Sequence, residues 1–443
     1  MIDPMALPRL GRTTARWTLE HATVRAIFAQ QARRGDPMSR IQTDACVRDH
    51  PEEAWEEVRA AGPLRRGRFA WQTANLAVGS AVLRSDAVGM PVPREEEMGR
   101  VSRLLERLRD DDTLGPIDPP SLLAIDAPDH TRLRKLVSRA FTPRRVQGMS
   151  SDIEATAHRL LDRLEGRRRV DLVEEYAAQL PLAVIADLLG VPEGERSQLL
   201  GWGNYGAMLL DAGLTYRTYR HTQQAMREMN AWFDGHIARL RANPGDDLLS
   251  SVIASADALP SGEQPTPLEL RMLGLLVLGA GFETTVNLVG NAVNLLTQHL
   301  DQRDALVAHP TSWDNAVEEV LRYDSPVQFN ARLVREPLDL GHLGGPVLNP
   351  GALVLIMVGA MHRDPAVWED PNRFDITRAN ASDHLAFSAG AHFCLGAGLA
   401  REEARIGLRV LYERFPALAV DGIPERRPTR VLRGFERLPV RLV

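Results

Sequence analysis

Phe387-Ser388-Ala389-Gly390-Ala391-His392-Phe393-Cys394-Leu395-Gly396-Ala397-Gly398-Leu399-Ala400 is the stretch on which the reading of this chain turns. A lone cysteine is ordinarily a small buried hydrophobe, but the surroundings of Cys394 argue for more. Gly390 and Gly396 bracket the sulfur with residues that permit unusual backbone angles and the close approach of a flat ligand. The helical pattern from Leu395 onward sets Cys394 at a helix start, where free N–H groups and the macrodipole favour a thiolate. Phe387 offers an aromatic wall. A zinc site from His384, His392 and Cys394 is the rival reading. Closed zinc sites want four ligands and usually a second cysteine, and none lies nearby.

Working outward, a helix follows the loop and short strands end the chain near Val443. Before the loop, strand signals run over 331–335 and 352–358, with the turn Asn349-Pro350-Gly351 between them. From residue 130 to about 300 the periodicity is mostly helical, with Pro, Gly and Asp breaks at 143, 192 and 244–246. Its longest uninterrupted piece, 268–300, would span roughly 50 Å. Between 60 and 85, a Gly-Pro turn and short alternating runs suggest two strands and then a helix. Strands at both ends around a helical middle imply one interwoven domain over 38–443, mainly α with small β-sheets. Residues 1–37 form an N-terminal extension and amphipathic segment. Within it, 1–12 read as loose and 17–34 as an amphipathic helix packed on the body, a membrane-surface anchor being the alternative.

Composition narrows the function classes. The 443 residues are 44% hydrophobic and 25% charged, enough apolar content for a large core and too much for a disordered chain. With 53 basic and 58 acidic residues the net charge is −5, so no bulk positive field recruits nucleic acid. The longest apolar run, 273–282, is far short of the roughly 20 residues of a transmembrane span. Two cysteines, Cys46 and Cys394, leave no disulfide framework and point to a reducing, cytoplasmic setting. No signal peptide is expected, because no small-residue cleavage site follows the amphipathic stretch. Length alone suggests about three domains at roughly 150 residues each, but no linker separates them.

Two further segments carry chemistry. The long helical pattern contains Ala280-Gly281-Phe282-Glu283-Thr284-Thr285. A carboxylate beside two hydroxyls in an apolar helix is expensive to bury without a purpose. Gly281 with a threonine three positions on can open the hydrogen-bond ladder and admit water. Glu319-Val320-Leu321-Arg322 places opposite charges at i and i+3, a pair worth little if solvated.

The cysteine loop resembles the haem-binding signature of cytochrome P450 monooxygenases, Phe-Gly-x-Gly-x-His-x-Cys-x-Gly, with Ser388 replacing the first glycine. The resemblance covers about residues 40 to 443 in the expected motif order. AGFETTVNLVGN and RVLRGFERLP are most similar to mycobacterial members of family 140. It implies a triangular, mainly α-helical fold and haem b held by Cys394, an anionic ligand that favours O–O cleavage. Ser388 would alter loop stiffness rather than ligation. Phe387, Gly396, Ala280 and Gly281 would border the cofactor, and His130, Arg134, Arg332 and His392 would meet its propionates. Glu283 and Thr284 match the family's acid–alcohol pair, which delivers protons during dioxygen activation. Glu319, Arg322 and Arg373 match its structural charge network. Met90, Leu276, Val277, Val327, Phe329 and Phe435 fall where the family lines its substrate pocket. That pocket suits a lipophilic molecule, with sterol, fatty acyl chain, terpenoid and polyketide all open.

No flavin or dinucleotide fingerprint appears, so electrons are expected from a separate ferredoxin and its reductase. Arg132, Arg139, Arg401 and Arg405 are the candidate docking charges. A peroxide-driven or coupling haem enzyme and a non-catalytic haem ligand-binding protein are the competing functions.

Overall fold

Thr266, Pro267 and Glu269 make a strong helix start. The Thr266 hydroxyl accepts the Glu269 N–H at 3.2 Å, the Glu269 carboxylate accepts the Thr266 N–H at 2.7 Å, and proline occupies the first turn, where no N–H is needed. The helix they launch, Pro267–Gln298, has 32 residues, about 48 Å at 1.5 Å per residue. In this computed structural model, which describes residues 9–94 and 97–443, that long helix is the axis of the molecule. By length and composition it could cross a membrane, but most of its apolar window is buried inside the chain. Phe282, Val289 and Val293 are sealed in the main core.

Helices Gln179–Leu188, Arg196–Met208, Tyr216–Ala242 and Ala397–Arg414 pack around it. The approach is close where side chains are missing. A Cβ on Gly274 would lie 2.7 Å from the Phe233 ring, and one on Gly281 would lie 2.5 Å from Ile185.

The sheets stand to one side. Five strands run in the order Arg65–Arg66, Trp71–Thr73, Leu353–Met357, Phe329–Val334, Val88–Gly89, with one parallel pairing between the second and third. Their apolar faces close over two smaller cores, one around Val82 and Ile356, the other around Trp55 and Phe329. Arg169–Asp171, Pro439–Arg441 and Ala419–Val420 form a three-stranded sheet, and Glu425–Arg426 pairs with Phe435–Arg437 as a hairpin. The strands expected over 331–335 and 352–358 occur one or two residues shifted. Between them lies an additional hairpin, Leu338–Asp339 with Val347–Leu348, whose two-residue strands carry too little alternation to be read.

The N-terminal amphipathic segment is helical and lies on the body. Trp17 Nε1 donates to the Leu214 carbonyl at 2.9 Å, and His21 Nδ1 accepts from Gly213 and Leu214 N–H at 3.2 and 3.3 Å. Residues 9–12 are already helical rather than loose; the rest of the expected loose extension, residues 1–8, lies outside the described residues.

Candidate functional site

The cysteine loop is a compact turn closed by Cys394 N–H donating to the Phe387 carbonyl at 2.9 Å. Gly390 sits at φ +69°, and a Cβ there would lie 2.3 Å from the Leu83 carbonyl, so only glycine fits. Ser388, in the family's glycine position, adopts φ +63° and buries its hydroxyl without a hydrogen-bond partner. The helix after the loop begins at Ala397 with Gly396 as its cap, so Cys394 precedes it by three residues. The dipole effect expected there is outweighed. Burial pushes the thiol up, although the Gly396 N–H, Arg134 and Arg401 pull the other way. Cys394 is nonetheless reachable from one side, and a coordinated cation deprotonates such a thiol outright.

The long helix presents a partly open face. Along an otherwise buried stretch, Leu276, Val277, Ala280, Gly281 and Thr284 remain accessible, a spacing of i, i+4, i+8 that puts them on one side. Ala280 is exposed there, whereas the space above Gly281 is taken by Ile185. The Thr284 hydroxyl donates to the Ala280 carbonyl at 2.8 Å, and that of Thr285 to the Gly281 carbonyl at 3.1 Å. Glu283 lies at the edge of this face and is buried. Arg427 Nε is 2.9 Å from its Oε1, but the contact is not aligned as a hydrogen bond. Burial lifts the carboxyl to about 7 against the opposing pull of Arg427 and Asn287.

Donors for an anionic group gather beside the loop. His130 and His392 lie with ring centroids 4.2 Å apart, and His130 Nε2 is buried with no partner. Burial, then the charges of His392 and Arg134, hold the His130 pKa down to about 4. Arg332 is 3% exposed, and its one side-chain hydrogen bond goes to the Ala331 carbonyl. Burial lowers its pKa to about 10 despite Asp126. Arg134 donates to the Phe393 carbonyl at 2.6 Å. A buried guanidinium and an orphaned imidazole are costly without anionic partners, and the two carboxylates of haem b fit that need. Cys394, His130, Arg134, Arg332 and His392 are therefore the residues that could hold such a group.

Beneath the loop, Glu319 and Arg322 form a bidentate pair at 2.6 and 2.7 Å with both side chains fully buried. The third partner is Arg378, not Arg373. Arg378 Nε reaches Glu319 at 3.3 Å, while the Arg373 guanidinium is 67% exposed and only its carbonyl joins, accepting from Arg322. Arg322 also donates to the His362 carbonyl at 2.9 Å, and His362 Nε2 accepts the Leu385 N–H at 2.9 Å, which ties the pair to the loop.

Several expected positions fall elsewhere. Phe329 packs with Met38, Ile41 and Trp55, and Phe435 packs in the main core under the Arg426 guanidinium. Both are core residues rather than members of the open face, because the strands that carry them turn those side chains inward. Met90 and Val327 are half-buried, and the Met90 N–H donates to Asp126 at 2.9 Å. The zinc alternative fails on geometry. His384 pairs with Glu318 at 3.1 Å and His392 faces Asp126 at 3.6 Å, and no three metal-binding side chains converge among the described residues. Three docking arginines are already engaged: Arg401 with Glu318, Arg405 with Glu402, Arg132 with Glu269 and Asp129. Arg139 is exposed. Asp126, Glu318, Arg378 and Arg427 had no motif to announce them, since each acts through partners distant in sequence; Met361-His362-Arg363-Asp364, where the family more often has Ala-Asn-Arg-Asp, carries no functional weight in sequence, yet His362 ties the buried pair to the loop.

Comparison with known proteins agrees with this geometry. Residues 311–433 match the family model described as Cytochrome P450. The chain is 44% identical to the family-140 cytochrome P450 of Mycobacterium tuberculosis over 427 residues, covering 96% of this chain and 97% of the relative. It is 39% identical over 321 residues to 6-deoxyerythronolide B hydroxylase of Saccharopolyspora erythraea, covering 72% and 76%. Among solved structures, ligand-free CYP164A2 of Mycobacterium smegmatis superposes with TM-score 0.79 at 33% identity, covering 90% of this chain and 98% of that one. P450BioI, solved in complex with an acyl carrier protein carrying hexadec-9Z-enoic acid, gives 0.81 at 31% identity, covering 90% and 100%. The chain belongs to the cytochrome P450 family of haem-containing monooxygenases.

Proposed function

We propose that the protein hydroxylates a lipophilic small molecule, with electrons supplied by a separate ferredoxin and reductase in the cytoplasm. The observation that carries this is a tight loop bearing Cys394 beside four donors suited to two carboxylates, in a chain whose long helix carries Thr284 on an accessible face. When bound, haem supplies the activation of dioxygen. The chain's own residues do the rest. Cys394 Sγ would hold the iron, while His130, Arg134, Arg332 and His392 would hold and orient the group through its carboxylates. Leu276, Val277 and Ala280 give the open helix face an apolar lining that excludes water and favours a lipophilic guest. Thr284 Oγ1, freed from the Ala280 carbonyl, would hand a proton out over the open helix face, and the adjacent Glu283 carboxyl would resupply it. A carboxyl near pH 7 is suited to both holding and releasing that proton.

A relative named for hydroxylating 6-deoxyerythronolide B and another solved with an acyl chain on its carrier support a lipophilic substrate. For the electron donor, Arg144 and Arg145 are exposed cations on the helix Pro143–Gly148, which packs against Ala397–Arg414, and Lys135 and Arg139 are exposed a few residues before it. An acidic ferredoxin is attracted to such a patch by complementarity.

The test is a spin-state titration of the haem-loaded protein against a lipid and polyketide library, followed by turnover of the hits with a ferredoxin system or with peroxide alone. Hydroxylated product with the redox system, and Thr284→Ala consuming dioxygen while releasing peroxide instead of product, is the expected result. Turnover with peroxide only, or product formation unchanged in Thr284→Ala, contradicts the proposal.

A further inference from the structure

The donors beside the cysteine loop have a neighbour of opposite charge. Asp126 lies half-buried just before the helix Asp129–Ser138, and its backbone carbonyl accepts the His130 N–H at 3.0 Å. Its Oδ1 faces His392 Nε2 at 3.6 Å and also accepts the Met90 N–H at 2.9 Å. Its Oδ2 accepts from Arg335 at 3.3 Å. Arg335 directly follows the strand Phe329–Val334, which carries Arg332.

The Arg335 guanidinium serves the Met90 side. It donates to the Met90 and Val92 carbonyls at 2.9 and 2.8 Å and pairs with Glu97. Among the described residues, none of its side-chain hydrogen bonds goes to His130, Arg134, Arg332 or His392. Gly89 is what lets carboxylate and guanidinium meet. A Cβ there would lie 2.2 Å from Asp126 Oδ2 and 2.8 Å from Arg335 Nε, so a side chain at this strand end would push them apart.

We propose that Asp126 is a positioning residue that joins two sides of the site. It aims His392 at the carboxylates of the cofactor and fixes the Met90 backbone, so grip on the cofactor and order at Met90 rise and fall together. This deepens the functional reading above, and rests on His392 being a carboxylate holder and on Met90 bordering the substrate.

The physical basis is one carboxylate shared by an imidazole, a main-chain N–H and a guanidinium. Burial opposes its charge, but His392, the Met90 N–H and Arg335 outweigh burial and hold the carboxyl below its ordinary range, so it is ionised at pH 7. Its charge also acts on His130 and on the buried Arg332, which places it within reach of three of the four expected donors. Partners in one charge-assisted network do not contribute independently, and a disturbance on one arm is felt on the other. The coupling is reciprocal, since each arm biases the same carboxylate.

The test uses the full chain with haem bound and reads each side while perturbing the opposite one. Haem loss to excess apomyoglobin is followed by absorbance, and amide hydrogen exchange over residues 88–92 by mass spectrometry. Arg335→Gln, on the Met90 side, should speed haem loss at least threefold. His392→Gln, on the cofactor side, should speed exchange over 88–92 at least threefold. Arg335→Lys should restore at least half of the haem retention. In an Asp126→Ala background both readouts should already be raised, and neither second substitution should add its cross-effect. Substitutions that disturb only their own side overturn the proposal, and so do cross-effects that persist in full without Asp126. Should Asp126→Ala fail to fold or to hold haem, the isosteric Asp126→Asn decides by the same readouts. If His392→Gln and Asp126→Ala both leave haem loss at the wild-type rate, the reading of these donors as carboxylate holders fails, and the proposal with it.

Discussion

Glu403→Gln is expected to stabilise the protein by about 3 kcal/mol at pH 7 while leaving stability unchanged at pH 4.5. Glu403 lies on the helix Ala397–Arg414, is 1% exposed, and has one carboxyl oxygen with no hydrogen-bond partner. Burial pushes its pKa from 4.5 up to about 8, with no neighbouring charge to oppose it. The sign follows. Below pH 4.5 the group is neutral in both folded and unfolded chains and costs nothing. Between 4.5 and 8 the unfolded chain ionises while the folded one keeps its proton, so stability falls as pH rises, by about 1.4 kcal/mol per unit. Two and a half units to pH 7 give the figure above. Glutamine keeps the shape and cannot ionise, so the variant escapes the loss. At roughly 2.1 cal/mol/K per residue the unfolding entropy of the chain is about 0.9 kcal/mol/K, so the gain appears as about 3 °C in Tm. Scanning calorimetry of both proteins at matched haem content, from pH 4.5 to 8, should show the two Tm curves diverging steadily. Parallel curves would refute the reasoning, because they would mean Glu403 is solvated or paired when folded.

Other substitutions test the scaffold around the site. Glu319→Ala strands the fully buried Arg322 guanidinium without its carboxylate, a loss of about 3–5 kcal/mol. Such a protein should be purified without haem, and full occupancy by absorbance would contradict this. Arg373→Ala should change stability by less than about 0.5 kcal/mol, whereas Arg378→Ala, whose guanidinium is 9% exposed and binds Glu319, should lose about 2 kcal/mol by denaturant titration. The reverse ranking would restore Arg373 to the network. Ser388→Gly relieves a left-handed backbone and an unpaired buried hydroxyl, so Tm should rise by an amount equivalent to about 1 kcal/mol. A fall in Tm would show that the serine has a partner.

The fold was legible wherever local chemistry and burial pattern agree. The uninterrupted helical periodicity over 268–300 specifies the long helix, and Gly390 and Cys394 specify the loop. Glu319 and Arg322 pair as their i, i+3 spacing implies, and Thr284 falls on the accessible side of the long helix. The misreadings share a cause. Arg373 and Arg378 are five residues apart in an irregular segment, and nothing in the sequence says which guanidinium turns inward. Phe329 and Phe435 sit on short strands whose inward face is set by the packing of neighbouring elements. The thiol of Cys394 was expected to be lowered by a helix start, but the helix begins three residues later and burial prevails. Asp126 and Arg427 work through contacts that tertiary structure alone creates. Glu403 reads as one more charge on an amphipathic helix until its burial is seen.

The most direct test of the account is the absorption spectrum of the reduced, carbon monoxide-bound protein. Ligation of haem iron by the Cys394 sulfur predicts the strongly red-shifted Soret band of a thiolate-bound haem, lost in Cys394→His with haem still present. A carbonyl spectrum like that of a histidine-bound globin in the wild-type protein, or an unchanged one in Cys394→His, would contradict it.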